Sequence, residues 1–315
     1  MPLTEITYSC KFDNSLQRAM FRRAHTPGPR PLVVALHTWS YGCTKCFDNY
    51  CRAAEEYDWH LIFPEFRGPN WTPQACGSDM VVSDLEDAAA YMMSVCDVDP
   101  ARVYLNGGSG GGHCTLLMAG RRPDLWTAVS AWCPISDIAA WHGQCRGTPH
   151  EGYADHIEKV CGGDPSVSEA ARYQCVLRSP LTWLLNARRA GLPVDINTGV
   201  HDGHTGSVPI SQAFNAFDLL AEEKDRFSAE EIDFMVKNEA IPEKLMFDGV
   251  DAAFGEKFRV LLRRQSAAAR ITIFEGGHNI FPDISFEWLA RQVKGRAPDW
   301  APGKPVTAGD GTLSM

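Results

Sequence analysis

Short, unbroken apolar runs alternating with polar, helix-periodic stretches dominate this 315-residue chain. Residues 31–37 read PLVVALH, and a continuous run of this kind marks a strand buried on both faces of a parallel sheet. Runs of the same type recur at 59–63, 102–105, 128–133, 194–200 and 270–274, each followed by a loop rich in Gly, Asp or His. Between them, helical periodicity predicts helices over 44–57, 83–96, 112–120, 211–223 and 286–293. Strand then helix, repeated, implies right-handed crossovers and a mostly parallel sheet covered by helices on both faces. Ahead of the first buried run, residues 6–11 and 18–23 flank Asp13-Asn14-Ser15, which predicts a β-hairpin within residues 1–30. The charged stretch 207–264 is longer than one crossover needs and reads as a helical insertion between the last two strands, placed to cover a site. Residues 296–315 are rich in Pro and Gly and read as a loosely held tail, leaving one domain over 1–295.

The strongest chemical signal is Gly107-Gly108-Ser109-Gly110-Gly111, directly after the strand RVYLN and directly before a helix. A serine at such a strand-to-helix turn takes strained backbone angles, and glycines flank it because side chains there would strike neighbouring strands. The turn lifts the hydroxyl clear of the backbone, and the helix amino terminus behind it favours developing negative charge. A phosphate-binding loop would need a Lys-Ser/Thr pair, or spaced glycines with a later acidic residue, and neither stands in the right place. This is the pattern of the nucleophile elbow of the α/β-hydrolase fold, with Ser109 as nucleophile.

A serine hydroxyl needs a base to take its proton. His278, in Glu275-Gly276-Gly277-His278-Asn279 after the last strand, has the required position; His25, His60, His142, His150 and His156 have no comparable strand-end placement. The orienting carboxylate follows the nucleophile and precedes the histidine in this fold. Asp202, in GVHDGH, fits that order, and Asp137, in PISD after the preceding strand, is its rival. Asp84 lies mid-helix and is expected to brace the elbow or face solvent. Two donors are needed for an oxyanion. The Gly110 amide supplies one, and Trp39 or Thr38 in the loop His37-Thr38-Trp39-Ser40 supplies the other. His113, one helical turn beyond Ser109, and His204 are candidates to line the pocket, with packing or surface roles as the alternative. Trp39, Trp71 and Trp141 fall on or near strand-end loops, where they would stack on a sugar or aromatic acyl group if they are not core.

These motifs together, ALHTWS, NGGSGGGH, PISD, GVHDGHTGSVP and FEGGH, resemble the catalytic domain of prolyl-oligopeptidase-like α/β hydrolases over residues 31–293. The resemblance implies a triad carried onto Ser109, Asp202 and His278. Two features depart from that family. The first buried strand begins at Pro31, with only about thirty residues of this sequence before it, so the large β-propeller that restricts substrates in oligopeptidases is not expected here, and the oxyanion loop reads His-Thr-Trp-Ser instead of His-Gly-Gly.

Composition narrows the field further. A net charge of -9 gives no electrostatic reason to expect nucleic acid. No stretch approaches the ~18 apolar residues of a membrane helix, and the amino terminus lacks the order of a secretory signal. Eleven cysteines, an odd number, lie between Cys10 and Cys175 and read as small buried hydrophobes in a reducing, cytoplasmic setting, with secretion left open should a signal have been removed. Cys43-x-x-Cys46, with Cys51, lacks the partner pair of a zinc site and falls on an expected helix, so neither metal nor cofactor is expected. The expectation is hydrolysis of a small-molecule or oligosaccharide ester with a short acyl group. The alternative is a peptidase or aminopeptidase of the same mechanism, and a non-catalytic binding protein of this fold is a third reading. The sequence leaves the oligomeric state open.

Overall fold

A computed structural model describes residues 3–45, 48–306 and 311. The opening hairpin forms: β1 (Thr4–Ser9) and β2 (Leu16–Arg22) pair antiparallel, and Asn14 takes the left-handed conformation its turn needs, at φ 58°. There follow β3 (Arg30–Leu36), α1 (Asp48–Glu56), β4 (His60–Pro64), α2 (Asp79–Val95), β5 (Val98–Gly108), α3 (Gly110–Arg121) and β6 (Ala128–Trp132). Four helices come next, α4 (Ile138–Cys145), α5 (Glu151–Cys161), α6 (Glu169–Arg178) and α7 (Leu184–Ala190). The chain closes with β7 (Val194–Gly199), α8 (Ser211–Leu220), α9 (Ala229–Asn238), β8 (Val260–Ser266), β9 (Ala269–Phe274) and α10 (Pro282–Leu289).

The strands form one sheet in the order β1-β2-β4-β3-β5-β6-β7-β9-β8. It is parallel from β4 through β9 and antiparallel at both edges. Every residue of β4, β6, β7 and β9 is buried, as expected of strands covered on both faces, and polar residues among them are paired inside, as Arg270 is with Asp195 at 2.7 Å. Helices α2, α3, α7 and α8 pack into the core on one face, while α1 and α10 pack into that on the other. Because Gly108 pairs with Trp132, Trp132 with Asn197, and Gly199 with Phe274, the carboxyl ends of β5, β6, β7 and β9 lie level. The loops that leave them therefore meet.

Several expectations need correction. The helix expected over 44–57 starts only at Asp48, because Cys43 and Thr44 form a turn that Glu65 holds by accepting the Cys43 N–H at 2.7 Å. Cys46 lies outside the described residues, so the Cys-x-x-Cys reading is described only at Cys43, which is buried. The largest helical excursion lies between β6 and β7. The stretch 207–264 holds α8 and α9, and it also holds most of β8, an edge strand whose alternating burial hides among charged residues. The described part of the tail is anchored: Trp300 stacks on Trp288 with centroids 5.1 Å apart, and Asp251 accepts the Gly303 N–H at 2.9 Å.

Asp84 neither faces solvent nor touches the elbow. It is fully buried and held by Arg67, whose Nε and a terminal nitrogen donate to its two oxygens at 2.8 and 2.9 Å while the guanidinium also reaches Asp13 at 2.7 Å. Arg67→Met should therefore cost about 3–5 kcal/mol in urea unfolding, since a carboxylate is left unpaired in the core, and Arg67→Met with Asp84→Leu should recover most of the loss.

Candidate active site

Ser109 sits between β5 and α3 at φ 57° and ψ -122°, a conformation L-residues avoid. Its N–H donates to the Trp132 carbonyl at 2.8 Å, and its carbonyl accepts the His113 N–H at 2.9 Å, so the strained residue is held from both sides. The flanking glycines are required by space. A Cβ on Gly107 would lie 2.6 Å from the Gly111 carbonyl, and one on Gly111 would lie 2.5 Å from the Leu36 carbonyl oxygen.

The loops after β7 and β9 bring Asp202 and His278 together. His278 Nδ1 donates to Asp202 Oδ2 at 2.7 Å, with the Asp202 side chain fully buried and that of His278 23% exposed. The second Asp202 oxygen accepts the N–H groups of Gly203 (3.0 Å) and Val208 (3.3 Å). Burial opposes a charge on His278, but the Asp202 carboxylate and, after it, Cys133 together outweigh it and hold the imidazole well above its ordinary pKa. With Nδ1 engaged, Nε2 is the ring nitrogen left to accept a proton. The His278 loop lies against the elbow: a Cβ on Gly108 would meet Ile280, two residues beyond His278, at 2.3 Å.

The Trp39 loop reaches the elbow through its backbone. A Cβ on Gly110 would lie 2.5 Å from the Trp39 nitrogen and 2.6 Å from its Cα, so the Gly110 and Trp39 amides are neighbours. The Thr38 carbonyl is bonded to the His37 ring, Nδ1 to oxygen 2.8 Å. His113 is fully buried and bonded through Nε2 to the Arg178 carbonyl at 2.8 Å; burial pushes its pKa down to about 4 against that bond, and it offers no ring face to a cavity. His204 is exposed and bonded to the Val236 carbonyl at 2.7 Å, tying the Asp202 loop to α9. Asp137, the rival acid, caps α4 by accepting the Ala140 N–H at 3.0 Å. Trp39 and Trp141 are core, packed edge to face with centroids 4.8 Å apart, while Trp71 is exposed.

Residues 75–230, about half of the chain, match the prolyl oligopeptidase family. The chain contains a prolyl oligopeptidase family domain. No curated protein matches it in sequence. Among solved structures it is similar to Pyrococcus horikoshii acylaminoacyl peptidase, with a TM-score of 0.60 and 13% identity over 96% of this chain and 43% of that one. It is also similar to prolyl oligopeptidase B from Galerina marginata, with a TM-score of 0.53 and 16% identity over 70% of this chain and 31% of that one. A puromycin-hydrolyzing peptidase from Mycobacterium tuberculosis matches with a TM-score of 0.54 and 19% identity over 75% and 37%. The chain thus spans less than half the length of each of these proteins, and at such identities they establish its α/β-hydrolase fold. The family is one of serine hydrolases, and these structures carry the names of peptidases; nothing among them supports the ester preference expected from the sequence.

Sequence reasoning does not reach two features of this family domain's site. Cys133, at φ 44° and buried, places its sulfur within 4.8 Å of ligand atoms of both Asp202 and His278 and donates to the Asn279 carbonyl at 3.4 Å. Chain position alone does not place it there; the sheet register that sets the end of β6 level with the elbow does. The second is His201, whose nitrogens bond Glu239 (2.8 Å) and Glu275 (2.9 Å), clamping the Asp202 loop between α9 and the loop after β9. Among the described residues two groups could hold a metal: Cys133, Asp202 and His278, and His142, Glu158 and Asp164. In the first the Asp202–His278 hydrogen bond fills the space between two of the ligands. In the second Arg146 already pairs with Glu158. No described helix is long and apolar enough to cross a membrane.

Proposed function

We propose that this chain is a serine peptidase that cleaves amide bonds of peptides. The observation that carries the reading is the buried carboxylate of Asp202 bonded to His278 Nδ1 at 2.7 Å, the His278 loop packing through Ile280 against the elbow that holds Ser109 in a strained turn. Ser109 Oγ attacks the scissile carbonyl carbon while His278 Nε2 takes its proton. The resulting oxyanion is received by the Gly110 and Trp39 amides. Collapse of the tetrahedral intermediate breaks the C–N bond, and His278 returns the proton to the leaving amine. Water, deprotonated by His278, then releases the acid and restores the serine.

The family match supports amide over ester substrates, since the similar structures are named as peptidases. An amide nitrogen leaves only when protonated, and a His278 whose imidazolium is stabilised by Asp202 suits that step. The test compares blocked and free aminoacyl and prolyl 4-nitroanilides with 4-nitrophenyl acetate, using the wild type and Ser109→Ala. Anilide cleavage that disappears in Ser109→Ala is expected. Acetate cleavage without any anilide cleavage would restore the short-chain esterase reading and overturn this one.

A further inference from the structure

We propose that Cys161 and Cys175 form a reversible disulfide linking α5 to α6 beside the candidate active site, which makes the pair a modification site for low-molecular-weight disulfides. The Cys175 thiol points at the Cys161 sulfur across 3.5 Å, and both residues are buried. A disulfide bond is about 2.05 Å long, so closure requires a shift of roughly 1.5 Å. The local chain can supply it. Cys161 is the last residue of α5 and is followed by Gly162 and Gly163, at φ 80° and 144°, around which a Cβ would meet nothing or a single atom at 3.8 Å.

The chemistry also favours this pair. Hydrogen bonding from Cys175 lowers the Cys161 pKa, with burial opposing and Arg178 assisting, so Cys161 is the sulfur that ionises first. The Cys161 thiolate attacks oxidised glutathione, forming a mixed disulfide and releasing one glutathione thiolate. Cys175 then loses its proton and attacks the Cys161 sulfur, releasing the second. Two protein thiols and one glutathione disulfide become one protein disulfide and two glutathione thiols.

The bond would matter to the site because α5 also carries Tyr153 and His156. Trp39 Nε1 donates to His156 Nδ1 at 3.3 Å, and the Trp39 and Tyr153 rings meet edge to face at 6.3 Å. Cys161, Cys175 and Trp39 belong to one apolar cluster. Cross-linking α5 to α6 therefore stiffens the wall behind the Trp39 loop.

The experiment equilibrates the full-length protein, wild type and Ser109→Ala, with reduced or oxidised glutathione, followed by acid quench, intact mass and peptide mapping. The expected product is lighter by two hydrogen atoms, contains a peptide joining Cys161 to Cys175, and melts about 5 °C higher, because the bond closes a short loop of the unfolded chain. Dithiothreitol reverses both changes, and Cys175→Ala shows neither. Recovery of both thiols free after oxidation overturns the proposal, as does a linked peptide in which Cys76, from the same cluster, replaces either partner. The mass readout in Ser109→Ala does not depend on hydrolysis, so this inference and the peptidase reading fail separately.

Discussion

Ser109→Ala is expected to lower kcat toward a cleavable 4-nitroanilide by about a million-fold, because among the described residues no second nucleophile stands at the elbow to form the acyl bond. The loss should leave substrate affinity nearly intact, since the substitution removes a single oxygen atom. His278→Ala should fall to a similar level, and the double variant should be no worse than either single one, since the pair acts as a unit. Stability supplies an independent check. Ser109 is held at φ 57° and ψ -122°, and alanine inherits that strain while glycine does not. Strain of this kind costs about 1–3 kcal/mol, against roughly 0.5–1 kcal/mol for the added freedom of glycine in the unfolded chain. Ser109→Gly should therefore melt at or above the wild type while Ser109→Ala does not. Activity surviving in Ser109→Ala, measured on protein free of contaminating hydrolase, would remove the nucleophile assignment.

What the sequence reveals about this fold depends on which periodicity survives in each element. The strands at 31–37, 128–133, 194–200 and 270–274 are legible because both of their faces are covered, so apolar residues fall on both faces and the few polar ones, such as Asp195 and Arg270, are buried with partners. β8 is not legible: VLLRRQS alternates buried and partly exposed residues, and its arginines extend over neighbouring aromatic rings, Arg264 lying 3.8 Å from the Phe227 ring centroid. Helices α4 to α7 escape for a different reason. They are short, and α4 to α6 turn small residues and cysteines such as Ala154, Cys145, Cys161 and Cys175 inward, so the expected Leu and Ile stripe is absent. At the site, chain order singles out Ser109, Asp202 and His278. It cannot reveal Cys133, because the level ends of β5 and β6 that bring it near His278 are a matter of sheet register. Nor can it distinguish His113 as a buried brace from a pocket residue, since only the Arg178 carbonyl above it decides that role.

Asp202→Asn isolates the part of the site that the geometry describes best. Asparagine keeps the shape, yet its amide can turn an N–H toward His278 Nδ1. That nitrogen must then accept, the ring proton moves to Nε2, and the nitrogen proposed to take the Ser109 proton is no longer a base. A fall in kcat of about ten-thousand-fold is expected with little change in fold. The pH profile separates this from general damage. In the wild type, burial works against the imidazolium, but the Asp202 carboxylate at 2.7 Å, with Cys133 adding to it, stabilises it more, so the His278 pKa is raised. Because the neutral ring is the active base, kcat/KM should fall as pH drops through that raised value, placing the acid limb above the usual histidine range near 6.5. Removing the carboxylate's charge takes away the largest contribution that opposes burial, so the residual activity of Asp202→Asn should keep its plateau to lower pH. An unchanged acid limb in Asp202→Asn would mean that another group governs the ionisation, and Cys133, within 4.8 Å of the histidine, would be the first to replace.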